Sequence, residues 1–211
     1  MQHTAYLSLG SNLGDREGHL RDAISRLGSV GRVAAVSSFY ETEPVEVTAQ
    51  PWFLNCAIAL ETPKTPEVLM ASILRIEQAM GRKRELEKGP RTIDIDILLF
   101  GHAVIATPRL TVPHPAMQQR RFVLEPLAEI RPEALHPQFN KTVLELLEAL
   151  PAGQEVRRKI QPGSSTDGHD SSPLLLRSIC RSGGYPFTCE SGLRLLRHDN
   201  RAGRFLGRNP C

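Results

Sequence analysis

Residues 93–97 combine a strand pattern with two acids, in the sequence Ile-Asp-Ile-Asp-Ile. The alternation predicts a β-strand that presents Asp94 and Asp96 on one face and isoleucines toward a core. The two carboxylates then lie about 6.6 Å apart along the strand, and they repel by about 2.5 kcal/mol at an effective dielectric constant of about 20. Mg²⁺ relieves such repulsion, because it accepts one or two carboxylates and fills its remaining positions with phosphate oxygens and water. From this segment alone, a solvent-facing edge with two charges is the alternative.

A strongly basic segment comes directly before this strand. Residues 82–91 contain five basic side chains, which are Arg82, Lys83, Arg84, Lys88 and Arg91. Guanidinium groups bind phosphate oxygens, and together with metal-binding acids they supply the parts of a polyphosphate site. Gly81 and Gly89 near its two ends suit a loop that moves over a ligand. A solvated basic turn is the alternative, but it explains poorly why the charge is concentrated beside the two acids.

Further candidates for anion binding follow the acids. They are Arg109, Thr111, His114 and Arg120, although His114, which lies between two prolines, is equally compatible with a rigid turn. The common phosphate motifs are missing: there is no P-loop, no complete dinucleotide-binding glycine motif and no protein-kinase motif. If ATP binds this chain, it therefore does so without a P-loop.

Residues 52–60 predict a strand whose two faces differ. Trp52, Leu54, Cys56, Ile58 and Leu60 form a continuous apolar face, and Phe53, Asn55, Ala57 and Ala59 form the other. The second face has an aromatic ring, an amide and two small residues, which suits a sheet on which a ligand lies. A face covered by a helix, with one tolerated asparagine, explains the same pattern equally well.

The order of the predicted elements indicates the fold class. Strands are predicted at 5–11, 32–42, 52–60 and 93–100, and helices at 15–27, 65–80, 121–130 and 141–150. The order is that of an α+β protein with a ferredoxin-like βαββαβ sheet and helices packed on one face of it.

The last fifty residues differ in composition from the rest. Residues 160–211 carry seven arginines and four acids, so the formal charge of +3 lies there and residues 1–159 are neutral. We predict a folded domain over 1–160 and a low-complexity, disordered extension over 161–211. The sequence has no apolar run of membrane-spanning length and no secretory signal. These features predict a cytoplasmic protein without membrane or nucleic-acid partners.

Six separate segments together resemble the 6-hydroxymethyl-7,8-dihydropterin pyrophosphokinase family of folate biosynthesis. They are LGSNLG at 9–14, SSFYET at 37–42, FLN at 53–55, GRKR at 81–84, GPRTIDIDI at 89–97 and RLTVPH at 109–114. Their order and spacing extend the resemblance over about residues 5–150. It implies a monomeric enzyme that transfers the pyrophosphoryl group of ATP to the hydroxymethyl oxygen of the pterin and releases AMP.

The resemblance also implies a role for each matching residue. Asp94 and Asp96 would hold two Mg²⁺ ions and, with Arg82 and Arg91, form the catalytic set. The residues implied in binding the co-substrate ATP are Arg82, Arg84, Arg91, Ile97, Arg109, Thr111, His114 and Arg120. Those implied in binding the pterin are Thr42, Val45, Phe53, Asn55 and Phe122, with the two phenylalanines stacking on its ring.

Two other readings remain open at this stage. A non-catalytic ferredoxin-like module that binds RNA would need exposed aromatic residues on its central strands and a positive surface. This sequence instead has acids on a central strand and a neutral core. A degenerate pyrophosphokinase that survives as an interaction protein would be expected to lose an acid or a loop arginine, and none is lost.

Overall fold

The computed structural model of the chain describes residues 2–44, 50–82 and 89–159. The predictions for Val45, Arg84 and the extension at 161–211 lie outside the described residues. No helix in the described ranges is long and apolar enough to cross a bilayer.

The elements alternate as an α+β protein requires. In chain order they are β1 (His3–Ser11), α1 (Arg16–Leu27), β2 (Arg32–Val36), β3 (Tyr40–Thr42), β4 (Phe53–Thr62), α2 (Pro66–Ala79), β5 (Asp94–Phe100), β6 (Ile105–Thr107), β7 (Leu110–Val112), a 3₁₀ helix (Met117–Gln119), α3 (Arg121–Ile130), β8 (Leu135–His136), β9 (Lys141–Thr142), α4 (Val143–Glu148) and β10 (Val156–Arg158). The main sheet has the order β10-β3-β4-β1-β5, and β2 pairs with the far part of β4. Every pair in it is antiparallel. The mixed fold with an antiparallel sheet and helices is confirmed.

Three of the four α-helices in the described residues begin at a side-chain cap. The Thr65 side chain caps α2, and Pro66 occupies the first helical position, where its missing N–H costs no hydrogen bond. The Asp15 carboxylate accepts from the Gly18 N–H (2.9 Å) at the start of α1. Thr142 and Glu145 form a reciprocal capping box at the start of α4. These local contacts fix the helix starts independently of tertiary packing.

The helices cover both faces of the sheet, so the expectation that they lie on one face is wrong. Helices α1 and α2 pack on the face that carries Leu54, Cys56, Ile58 and Leu60. Helices α3 and α4 pack on the opposite face, against Ala57. The physical reason is the small side chain of Ala57, which leaves room for an apolar helix.

The helix-covered interpretation of residues 52–60 is therefore correct for the middle of β4, whereas ligand binding on the rest of that face stays a prediction. The buried Ala57 lies under helices, whereas Phe53 and Asn55, nearer the start of the strand, line an open cavity.

The single strand predicted at 32–42 is interrupted. Strand β2 ends at Val36 and β3 begins at Tyr40, and both pair with β4. Between them, the Ser37 hydroxyl accepts from the Ala57 N–H (2.9 Å) and takes the place of a backbone partner. Strand β10 was not predicted, because its three residues carry no clear alternation, yet it adds to β3 at the sheet edge.

An ionic network ties this edge to helix α3. The Glu129 carboxylate accepts from the Ser38 N–H (2.9 Å), the Ser38 hydroxyl (2.8 Å), the Tyr40 hydroxyl (2.8 Å) and the Arg158 guanidinium (2.9 Å). Burial raises the pKa of Glu129, but the bonds from Ser38 and Tyr40 outweigh it and leave the pKa below its usual value. The ionised form is thus the one that the fold stabilises.

Replacing Glu129 with glutamine should lower the free energy of unfolding at pH 7 by about 1–2 kcal/mol, because hydrogen bonds to a charged acceptor are lost. Because the pKa of Glu129 is lowered by folding, its stabilisation is present above the unfolded value of about 4.3 and is lost as pH falls through the folded value. Urea unfolding of both proteins at pH 7 and at decreasing pH checks this, and the difference should shrink on acidification. Glu133→Gln, which neutralises an exposed acid, should leave stability nearly unchanged.

Candidate active site

A cavity of about 340 Å³ opens over the ends of β4, β1 and β5. Its lining consists of Ser8, Gly10, Thr42, Glu43, Gln50, Phe53, Asn55, Arg82, Arg91, Asp94, Asp96, His114, Arg120 and Phe122. Ten of these residues were predicted to bind or transform the substrates, although they come from segments far apart in the chain. The fold therefore brings most of the predicted site together.

Strand register sets the layout of the cavity floor. Gly10 on the central strand β1 pairs with Asn55 on one side and with Asp94 on the other. Ser8, two residues earlier, pairs in the same way with Ala57 and Asp96. Since neighbouring strands are about 4.8 Å apart, Asn55 and Asp94 stand roughly 10 Å apart across one glycine. The amide and the acids thus face one space from its two sides.

The acid pair is surrounded by guanidinium groups. Asp94 Oδ1 accepts from Arg82 Nη1 (2.7 Å), and Asp94 Oδ2 pairs with Arg91 Nη1. Burial, followed by the negative charge of Asp94, raises the pKa of Asp96 to about 7. Ionisation of Asp96 thus places a second negative charge beside Asp94 where little solvent is present to screen it.

These properties fit a Mg²⁺ site. The donors are carboxylate oxygens, and the raised pKa of Asp96 shows a demand for positive charge that a divalent cation meets. Among the described residues there is no cluster of three His, Cys, Asp or Glu side chains that would hold a metal without other ligands. The acid pair is therefore suited to a cation that arrives with phosphate oxygens and water.

Glu77 is a site residue that the sequence reasoning missed. Its carboxylate is only 2% exposed, accepts from the Ile95 N–H (2.8 Å) and pairs with Arg82 Nη1. Burial raises its pKa, and the nearby Arg82 opposes that effect. Glu77 thus holds Arg82 at the end of α2 and fixes the strand beside Asp94. The sequence carried one signal that could have identified Glu77: it is an acid next to Ile76, on the buried stripe of an amphipathic helix.

His114 and Arg120 complete the basic side of the cavity. His114 Nδ1 accepts from the Ala116 N–H (3.2 Å), which leaves Nε2 as the donor of the neutral ring. Burial, and then the charge of Arg120, lower the pKa of His114, so the neutral form is favoured at pH 7. The Arg120 guanidinium also lies 5.7 Å from the centre of the Phe122 ring. It therefore stands at the boundary between the charged and the aromatic parts of the cavity.

The opposite side of the cavity is suited to a flat heterocycle. Phe53 and Phe122 supply the aromatic surfaces, and the 4% exposed Asn55 supplies a polar edge. Asn55 Nδ2 donates to the Thr42 hydroxyl (2.7 Å), which holds the amide in one orientation. This arrangement presents both a donor and an acceptor at a fixed place.

Gly10 leaves the space that this amide needs. A Cβ atom at Gly10 would stand 2.6 Å from Asn55 Oδ1. In Gly10→Ala, Asn55 must turn away and break its bond to Thr42, so we expect the affinity for the heterocyclic substrate to fall about tenfold, as for a lost buried hydrogen bond. Nucleotide affinity should change much less. Titration of each substrate into both proteins checks this, and an equal loss for both would contradict the local explanation.

Three predicted residues lie outside the cavity lining. The Ile97 side chain is 4% exposed and belongs to the core under α1 and α2, while Arg109 and Thr111 are exposed near β7. Their assignment to ATP stays a prediction. Ser8, Gly10, Glu43 and Gln50 line the cavity and were not predicted as site residues. The motif at 9–14 had marked the neighbourhood of Gly10 without assigning it a role.

Comparison with known proteins identifies relatives over most of the described chain. The family model for 7,8-dihydro-6-hydroxymethylpterin-pyrophosphokinase (HPPK) matches residues 6–132. A 2-amino-4-hydroxy-6-hydroxymethyldihydropteridine pyrophosphokinase of Bacillus subtilis is 49% identical over 132 residues, which cover 62% of this chain and 79% of the relative. The protein of the same name from Methylorubrum extorquens is 46% identical over 154 residues, covering 72% and 96%.

Longer proteins match over part of their length. Folic acid synthesis protein fol1 of Schizosaccharomyces pombe is 43% identical over 150 residues, which are 70% of this chain and 20% of that protein. The crystal structure of a Plasmodium falciparum HPPK-DHPS matches with a TM-score of 0.58 at 18% identity, covering 70% of this chain and 45% of that one. An HPPK-DHPS in complex with substrates matches with a TM-score of 0.56 at 16% identity, covering 70% and 43%. At such identities the structural likeness shows the fold alone.

Proposed function

Since the chain belongs to the 7,8-dihydro-6-hydroxymethylpterin-pyrophosphokinase family, it is a pyrophosphokinase of folate synthesis, and we propose that the cavity over β4, β1 and β5 is its active site. The enzyme transfers the pyrophosphoryl group of ATP to 6-hydroxymethyl-7,8-dihydropterin. The observation that carries the site assignment is the placement of the acids and arginines opposite the aromatic and amide residues in one cavity. One half suits a triphosphate and the other suits a pterin.

We assign the triphosphate to the basic half. Two Mg²⁺ ions on Asp94 and Asp96 would neutralise phosphate charge and polarise the phosphorus that is attacked. Arg82 and Arg91, which pair with Asp94 in the ligand-free protein, would turn to the phosphates when that charge is taken up. His114 and Arg120 would donate to phosphate oxygens. Arg84, Ile97, Arg109 and Thr111 complete the ATP assignment on the family resemblance.

We assign the pterin to the aromatic half. Stacking on Phe53 and Phe122 adds about 0.5–1.5 kcal/mol per ring pair beyond burial. Asn55 would pair with the hydrogen-bonding edge of the ring, supported by Thr42, and Val45 would contribute backbone groups. Because Asn55 and Asp94 flank Gly10, a ring bound at Asn55 can direct its hydroxymethyl group toward the acids.

The reaction needs positioning and charge neutralisation more than a protein nucleophile. The hydroxymethyl oxygen forms a bond to the β-phosphorus, and the bond from that phosphorus to the oxygen of AMP breaks. The hydroxyl proton leaves the nucleophile, and Asp96, a carboxylate that lines the cavity beside Asp94, is the candidate acceptor.

The remaining assignments concern the strand topology, the compartment, the oligomeric state, the partners and the domain boundaries. The order in which β3, β4, β1 and β5 lie supports a ferredoxin-like βαββαβ topology. We place the enzyme in the cytoplasm as a monomer, without membrane or nucleic-acid partners, because both substrates are small and the acids of the cavity repel a phosphate backbone. Residues 1–160 form the catalytic domain in this assignment, and 161–211 form an extension without a catalytic role.

The nucleotide product tests the function. The full chain, mixed with MgCl₂, ATP and 6-hydroxymethyl-7,8-dihydropterin, should form AMP and pyrophosphorylated pterin in equal amounts, and only when all three are present. ADP would show attack on a different phosphorus. Binding of the pterin without AMP would support the degenerate-enzyme alternative, and binding of neither substrate would support a non-catalytic module.

A further inference from the structure

Asn12, directly after β1, is a buried side chain that joins the two halves of the cavity. It is 2% exposed and lies between residues 50–51 and residue 91, which are far apart in sequence. We propose that Asn12 is a positioning residue that couples the binding of the pterin to the binding of ATP. The proposal rests on the assignment of the two substrates to the two halves of the cavity.

The hydrogen bonds of Asn12 divide between these two segments. Its backbone N–H donates to the Arg91 carbonyl (3.2 Å), and its Oδ1 accepts from the Arg91 N–H (2.8 Å). Its Nδ2 donates to Gln50 Oε1 (3.1 Å) and to the Pro51 carbonyl (3.3 Å). Asn12 therefore fixes both backbone polar groups of Arg91 relative to residues 50 and 51.

Each of the joined segments leads into one substrate site. Pro51 precedes Phe53 by two residues, and Gln50 itself lines the cavity. On the other side, the Arg91 side chain pairs with Asp94 at the acid pair. A ligand that shifts either segment therefore also shifts Asn12 and, through its hydrogen bonds, the other segment.

Burial makes this connection stiff. A buried amide that loses one of its partners keeps an unsatisfied polar group, which is costly, so the two segments are favoured to keep their bonds and shift together. When the first substrate has already shifted this junction to its bound position, the second substrate no longer has to, and its affinity rises. By reciprocity, each substrate strengthens the other by the same factor.

The rival explanation is that Asn12 only stabilises the end of β1. A matched control is Thr62→Val at the far end of the sheet, where the fully buried Thr62 hydroxyl donates to the Val30 carbonyl (2.9 Å). This change also removes a buried hydrogen bond, but it touches neither segment. Asn12→Asp is a second test, since it keeps an acceptor for the Arg91 N–H and replaces the donor toward Gln50 and Pro51 with a charged oxygen.

The experiment measures the dissociation constant of 6-hydroxymethylpterin by calorimetry, with and without a saturating complex of Mg²⁺ and α,β-methylene-ATP. The proteins are the full-length wild type, Asn12→Ala, Asn12→Asp and Thr62→Val, each checked for folding by thermal unfolding. In the wild type we expect the nucleotide analogue to tighten pterin binding by a factor of about 5–150, the usual range for coupled sites. In both Asn12 variants this factor should fall toward one, and in Thr62→Val it should equal the wild-type factor.

Several outcomes would overturn the coupling role. They are an unchanged factor in the Asn12 variants, an equal fall in Thr62→Val, a factor of one in the wild type, or the loss of a single substrate's affinity with no loss of coupling. Failure of the proposed function has a different signature, because the wild type would then bind neither ligand and would form no AMP.

Discussion

Replacing Asp96 with asparagine should nearly abolish AMP formation and at the same time make the ligand-free protein harder to unfold at pH 8. Activity should fall by at least about 10³-fold, since a metal ligand contributes several kcal/mol of transition-state charge stabilisation. Stability should move in the opposite direction, because the ionised Asp96 is half-buried beside Asp94 and the change removes one of two like charges. Such opposed effects are expected where a site is strained for function.

The pH dependence gives the sign of this effect. Folding raises the pKa of Asp96 to about 7, whereas the unfolded value is about 3.9. Between these two values the folded state binds more protons than the unfolded state, so stability falls as pH rises from about 4 to about 7. The Asp96→Asn protein should unfold at a higher temperature than the wild type at pH 8 in EDTA, and this difference should shrink steadily as the pH is lowered toward about 4.

Two further measurements complete this test. Mg²⁺ with α,β-methylene-ATP should raise the unfolding temperature of the wild type more than that of the variant, because bound ligands stabilise only the state that binds them. Asp22→Asn, the same change on an exposed position of α1, should leave both activity and stability near the wild-type values. Full turnover by Asp96→Asn with an unchanged Mg²⁺ requirement would exclude Asp96 both as a metal ligand and as the general base.

The parts of the site that sequence could predict are those with local signals. The strand at 93–97 and the second face of 52–60 showed their periodicity directly, and both supply lining residues. Arg82 and Arg91 were recognisable as cations beside acids. No local sequence pattern predicted the sheet face on which each helix packs. That placement depends on the volume available above Ala57, which only the packed structure shows.

The missed residues act through contacts that have no sequence pattern. Glu77 is an acid on an otherwise apolar helix stripe, and its role becomes visible only when Arg82 and the Ile95 N–H are found beside it. Asn12 was part of a recognised motif, but its partners lie 38, 39 and 79 positions away along the chain. The residues assigned to the chemistry were therefore easier to predict than those that hold them in place.

Removal of the Arg82 side chain should lower kcat by about 10³-fold, the lower end of the effect of a guanidinium that stabilises a phosphoryl-transfer transition state. The affinity for α,β-methylene-ATP should change much less. Arg82 is paired with Glu77 and Asp94, so ion pairs that it forms with ground-state phosphates replace pairs that it must give up. The extra charge that develops in the transition state is what gives a net stabilisation. Single-turnover rates and nucleotide titration of Arg82→Ala separate the two quantities.

Loss of folding is the competing explanation for an inactive Arg82→Ala protein, because the change leaves Glu77 buried without its counter-ion. The double variant Arg82→Ala/Glu77→Gln removes that charge, so its unfolding temperature should recover while its kcat stays low. Arg82→Lys should restore part of kcat, since an ammonium supplies the charge without the planar fork. Arg75→Ala, an exposed arginine on α2, is the matched control and should be fully active. Recovery of kcat in the double variant would show that Arg82 serves to stabilise the fold around Glu77 and has no direct role at the phosphates.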